Sequence, residues 1–188
     1  TMLARKDMAA KNLAELMAYV KANAASINLA NAGLGAVSHL CGTLFQQALG
    51  VTLTTVPIQG TGPALNALLG GQVDLLCDQT TNTVPHIKAG TVKMYGVTSK
   101  QRIKALPDAP TMDEGGLKDF EVSVWHGLYA PKGTPKPVVD KISAALRVAL
   151  KDPAVMQRFA DLGTEPEPAD RATPAAHRAH LKAEVGKW

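Results

Sequence analysis

One recurrence restricts this chain more than anything else in it. Three times between residues 26 and 89, a short apolar run is followed by a glycine-rich or polar loop and then by a helical pattern. Residues 26–31 read as a strand, and residues 36–49 as a helix whose Leu40, Leu44, Phe45, Ala48 and Leu49 share one face. Residues 51–56, rich in Val and Thr, read as a second strand. The loop 57–62 (P-I-Q-G-T-G) then leads to a helix over 63–69 with Pro63 near its first position. Residues 73–77 form a third apolar run, followed by six polar residues, 78–83, and a helix over 84–89 that Thr83 is expected to cap. Strand and helix in alternation predict an α/β fold with a largely parallel sheet and flanking helices. In such a sheet the three loops leave from one edge, where open α/β sheets bind ligands.

The first loop, A-G-L-G-A-V-S-H-L at 32–40, carries the sharpest chemical expectation. The first amides of a helix have no partner inside it, and the aligned peptide dipoles place partial positive charge there. Gly33 and Gly35 let backbone approach a ligand closely, so the loop is suited to phosphate, sulfate or carboxylate. An ordinary strand-to-helix turn also needs glycine for its dihedrals, and the spacing alone does not separate the two. There is no GxxxxGK[ST] and no complete GxGxxG, which argues against a nucleotide.

The remainder reads as a strand over 2–5, a helix over 13–22 opened by an Asn12/Glu15 capping box, and a strand over 92–98. A second capping-box spacing at Thr111 and Glu114 opens a short helix. Extended chain follows at 122–130, with helices over 138–150, 154–162 and from 174 to the end. Lys and Arg total 20 against 16 acids, but the bases are dispersed with few aromatics between them, so nucleic-acid binding is disfavoured. No apolar stretch approaches the ~18–20 residues that span a bilayer. Cys41 and Cys77 form no CxxC; they either pair in an oxidising compartment or are buried as small apolar residues. No nucleophile, base and orienting group come together, so no catalytic residue, metal or cofactor is assigned. A hydrolase using Cys41 and an effector-sensing domain of a regulator stand as alternatives to a binding protein.

Several stretches together resemble the substrate-binding proteins of tripartite tricarboxylate transporters, the TctC or Bug family. They are the loop at 32–40, V-P-I-Q-G-T-G-P-A-L at 56–65, L-L-G-G-Q-V-D at 68–74 and H-I-K-A-G at 86–90. L-P-D-A-P-T at 106–111 and W-H-G-L-Y-A-P-K-G-T-P at 125–135 complete the set. The resemblance implies a bilobed periplasmic binding protein of type II-like architecture. It would take a small carboxylate, deliver it to the permease subunits of a membrane transporter, and act as a monomer after loss of a signal peptide. It implies that residues 7–123 are the second lobe, with 1–6 and 124–188 as crossing strands and the carboxy-terminal part of the first lobe. Since 2–5 read as a strand already under way, the first lobe is expected to be incomplete. It implies ligand contacts from the amides of Gly33, Leu34, Gly35, Ala36, Val37 and Ser38. Gln59, Gly60 and Thr61 form a neighbouring wall, Asp78, Gln79, Thr80 and Thr81 a polar loop, and Trp125 stands at the hinge. Many relatives have two small hydroxyl residues where Ala36 and Val37 stand; the more apolar wall here implies a longer dicarboxylate or an aromatic acid.

Overall fold

The computed structural model describes residues 1–187. Residues Thr1–Val124 form one compact unit and the chain from Trp125 onward a second. The first six residues lie within the first unit.

The first unit is built on a five-stranded sheet. Its strands are β1 (Met2–Arg5), β2 (Asn28–Asn31), β3 (Thr54–Pro57), β4 (Leu75–Cys77) and β5 (Val92–Gly96), in the order β3-β2-β4-β1-β5. β2 pairs in parallel with β3 and β4, whereas β1 pairs antiparallel with both β4 and β5. Four of the five strands run the same way, as expected of a largely parallel α/β sheet, and a single reversed strand near the middle makes the sheet mixed. Its direction was not readable because an apolar tetrapeptide looks alike whichever way it runs.

Alternation along the strands divides the core between two faces. Met2, Ala4, Leu29, Leu75, Cys77 and Tyr95 face one side. They pack with Leu13, Leu16 and Val20 of α1 (Leu13–Ala22) and with Cys41, Phe45 and Leu49 of α2 (Val37–Leu49). Leu3, Ala30, Leu76 and Val92 face the other side, against Ala64, Leu65, Ala67 and Leu68 of α3 (Thr61–Leu69). α2 lies close on the sheet: a Cβ on Gly42 would stand 2.8 Å from Leu29 Cδ2. α4 (Thr80–Lys88) adds Val84 to a smaller cluster with Val97, Leu106 and Ala109.

Local signals place several ends. Asn12 Oδ1 accepts from Glu15 N at 2.9 Å, as the capping box predicts, while the Glu15 carboxylate reaches back one residue further, to Lys11 N at 2.8 Å. The reciprocal bonds at Thr111 and Glu114 also form, at 2.8 and 3.0 Å, but they close an isolated turn instead of opening a helix, because Gly115 and Gly116 follow at once. Asp74 ties the sheet's other end: its carboxylate takes Arg5 Nε at 2.9 Å and Asn28 N at 2.8 Å, joining the ends of three strands.

Cys41 and Cys77 are joined in a disulfide, Cα atoms 6.1 Å apart, and both are buried. The pairing settles the alternatives the sequence left open. It also removes the Cys41 nucleophile, since a sulfur committed to a disulfide supplies no thiolate.

The second unit carries α5 (Lys136–Ala149), α6 (Pro153–Asp161) and α7 (Pro174–Lys187). Trp125 belongs to it, its ring edge-on to His177 and His180 at 5.7 and 4.7 Å. Among the described residues no helix is long and apolar enough to cross a membrane, and no group of three His, Cys, Asp or Glu could hold a metal ion.

Candidate functional site

β3, β2 and β4 are parallel neighbours, and each runs directly into a helix: β2 into α2, β3 into α3, β4 into α4. Three helix N-termini therefore gather at one edge of the sheet. None of the three has a side-chain cap, the cap positions being Ala36, Gly60 and Gln79. Elsewhere Asn12 caps α1 and Asp152 takes Ala154 N and Val155 N at the start of α6, while α5, which follows Pro135, has no side-chain cap. A helix leaves its first amides without internal partners, and capping side chains are the common remedy. Here the remedy is withheld three times in the same place.

Not every expected donor is free. Gly33 N is bonded to Asn31 Oδ1 at 2.9 Å, Gly35 N to His39 Nδ1 at 3.3 Å and Ala36 N to the Gly33 carbonyl at 3.1 Å. Of the six amides from Gly33 to Ser38, those of Leu34, Val37 and Ser38 have no partner among the described residues. Asn31 and His39, bonded back to the loop, consume the others and hold its shape. The Ser38 hydroxyl does likewise, accepting from Ala32 N at 2.8 Å while buried. Gly33 and Gly35 are required less for approach than for backbone, at φ 121° and 78°.

The second loop is fastened to the first. Ile58 N donates to the Asn31 carbonyl at 2.9 Å and Gly60 N to the Ala32 carbonyl at 3.2 Å. Gly60 thus offers no amide, whereas Thr61 N and Gly62 N, the first of α3, have no partner among the described residues. Gln59 is exposed beside them.

In the third loop α4 begins at Thr80, three residues before the Thr83 cap expected from the sequence. Thr83 is instead inside the helix and fully buried, bonded to Thr1 Oγ1 at 2.8 Å and to the Gln79 carbonyl at 3.1 Å. Gln79 N is taken by Asp78 Oδ1 at 2.7 Å. The amides of Thr80 and Thr81 have no partner among the described residues, and their side chains are half-buried. Burial pushes the Asp78 carboxyl above its ordinary value; the Gln79 amide, the charge of the Thr1 amino group and the nearby Thr61 hydroxyl pull it partly back.

The described residues include two buried side-chain polar atoms without a hydrogen-bond partner, and both are here: Asn31 Nδ2 and Asp78 Oδ2. Thr61 lies near enough to influence Asp78 without closing a hydrogen bond to Oδ2. Asn31 was missed by the sequence reading, although a polar residue ending an apolar strand just before a glycine loop was a usable signal. Leu34 and Val37 add exposed apolar surface, Leu34 being 79% exposed.

The first unit is thus a mixed α/β domain, one sheet edge of which collects uncapped helix N-termini and unpaired buried polar groups. The chain belongs to the tripartite tricarboxylate transporter receptor family, TctC, whose model matches residues 1–178. It is 57% identical over 98% of its length to a UPF0065 protein of Agrobacterium vitis from the TAR-I ttuE-ttuC' intergenic region, of which it covers 54%. Among solved structures it is similar to the periplasmic binding protein BugD (TM-score 0.96, 55% identity, all of this chain and 62% of that one). It is similar also to MatC of Rhodopseudomonas palustris with bound malate (0.94, 42%, all of this chain and 64% of that one). A further R. palustris protein, solved with adipate, aligns over all of this chain and 62% of its own (0.94, 27%). The chain thus spans about half the length of this curated relative and less than two thirds of these structures.

Proposed function

We propose that this chain is the ligand-gripping portion of a periplasmic solute-binding protein that captures a small carboxylate and hands it to the permease subunits of a tripartite transporter. The observation that carries this reading is the gathering of three uncapped helix N-termini at one sheet edge. Charge-assisted bonds from backbone amides hold a carboxylate without arginine, and the amides of Leu34, Val37, Ser38, Thr61, Thr80 and Thr81 are the donors. The malate and adipate in two related structures support a carboxylate as the ligand class. The apolar surface of Leu34 and Val37 suits the hydrocarbon body of a dicarboxylate or an aromatic acid. The Cys41–Cys77 disulfide fits an oxidising compartment such as the periplasm. The protein binds and releases its ligand unchanged, and is not an enzyme.

The test is calorimetric titration of the full-length protein with a panel of mono- and dicarboxylates, followed by recovery of the bound acid. Stoichiometric binding with the acid recovered intact is expected. Turnover of the acid, or no binding by any member of the panel, overturns the reading.

A further inference from the structure

Building on the carboxylate reading, we propose that Asp78 is a specificity-determining residue. It selects an acid that bears a hydrogen-bond donor, a hydroxyl or an ammonium group, over the unsubstituted acid of the same length.

Asp78 follows directly on β4, at the edge where α2, α3 and α4 begin, and is 8% exposed. One of its oxygens is spent on Gln79 N; the other, Oδ2, is buried with no partner among the described residues. A buried acceptor left unpaired costs about 1–3 kcal/mol, more when charged. Around it stand backbone N–H donors, the Thr61 hydroxyl and the Thr1 amino group, which donates to the Asp78 carbonyl at 2.7 Å, and none of them closes on Oδ2. Asp78 is thus an anion standing among donors meant for another anion. A second carboxylate brought against it meets like charge, and a methylene leaves it unpaired. A hydroxyl or an ammonium donates to it.

The other unpaired group divides the labour. Asn31 ends β2, and its side chain falls on the same sheet face as Leu29, toward α2. Asp78, one residue past β4, continues the alternation of Leu76 onto the opposite face, where Thr61 at the start of α3 lies near it. β2 and β4 are adjacent, their axes about 4.8 Å apart. Asn31 Nδ2, a lone donor, therefore joins the free amides of Leu34, Val37 and Ser38 on the side that grips the carboxylate. Asp78 Oδ2, a lone acceptor, reads the substituent on the other side. One ligand carrying both functions satisfies both orphaned atoms, which an unsubstituted dicarboxylate does not.

The experiment is titration of the full-length protein with succinate, malate and aspartate, and with adipate, 2-hydroxyadipate and 2-aminoadipate. Each trio has constant length and differs only at the substituent. In the trio that binds, the hydroxy or amino acid is expected to bind about ten-fold or more tightly than its unsubstituted parent. The two substituted arms distinguish a hydroxyl ligand from an ammonium one. In Asp78→Asn that preference is expected to collapse, since the new amide can donate to a carboxylate. Equal affinity within both trios, or an unchanged preference in Asp78→Asn, overturns the role of Asp78 and leaves the carboxylate reading standing. Binding by no acid of either trio or of the wider panel overturns the carboxylate reading itself.

Discussion

Replacing Val37 by proline isolates one backbone amide as a ligand donor. Val37 is the first residue of α2, and its N–H has no partner among the described residues, so the ring deletes a donor that folding does not use. Proline is well tolerated at the first helical position, and this chain already does so at Pro153, the first residue of α6. The residue before a proline must be extended. Ala36 already is, at φ −64° and ψ 156°, close to the −65° and 127° of Asp152 before Pro153. The Val37 side chain is 37% exposed and little packing is lost. Folding stability should therefore hold, with a melting temperature within about 3 °C of wild type. Binding should not: one charge-assisted hydrogen bond is worth about 1.5–3 kcal/mol, or about ten- to 150-fold in affinity. Isothermal titration with the best-bound carboxylate measures this. Val37→Ala, which keeps the amide, serves as the reference and should bind within about three-fold of wild type. Equal affinity for the proline and alanine variants would show that the Val37 amide does not touch the ligand.

Three further outcomes are expected. The disulfide closes a loop with a sequence separation of 36 residues. On the chain-entropy account its removal costs about 4 kcal/mol, on the order of 15 °C in melting temperature for a unit of this size; equal melting of Cys41→Ala/Cys77→Ala and wild type would refute this. Asp74→Ala, which strips the half-buried Arg5 Nε and Asn28 N of their partner, should destabilise by about 2–4 kcal/mol in urea melts. Burial raises the Asp78 pKa, so the native state holds that proton to higher pH than the unfolded chain. Its contribution is fully present below the unfolded value, near 3.8, and is lost as pH rises through the folded one. Without ligand, Asp78→Asn should gain on wild type across that window, and parallel stability–pH curves would contradict the assignment.

The α/β class and the three loops at one edge were legible because each strand-to-helix transition leaves a local trace. So was the Asn12 cap, whose two partners lie three residues apart. What escaped the sequence depends on partners distant in the chain. The reversal of β1 is set by β4 and β5, more than seventy residues on. The disulfide joins residues with no recognisable spacing. The true start of α4 was hidden because a threonine at 83 resembles a cap until its burial against Thr1 is seen. Within the site, glycine pattern and helix polarity announced free amides. Which of them Asn31 and His39 would take back depends on rotamers that composition does not encode.

The reversed strand also sets an order of assembly. Met2–Arg5 lies between β4 and β5, so the sheet cannot close until Val92–Gly96 has been synthesised. Such long-range pairing slows folding and leaves apolar chain uncovered meanwhile. Before residue 92 is present Met2, Leu3 and Ala4 can pair with β4 alone, and their other edge stays open until β5 joins it.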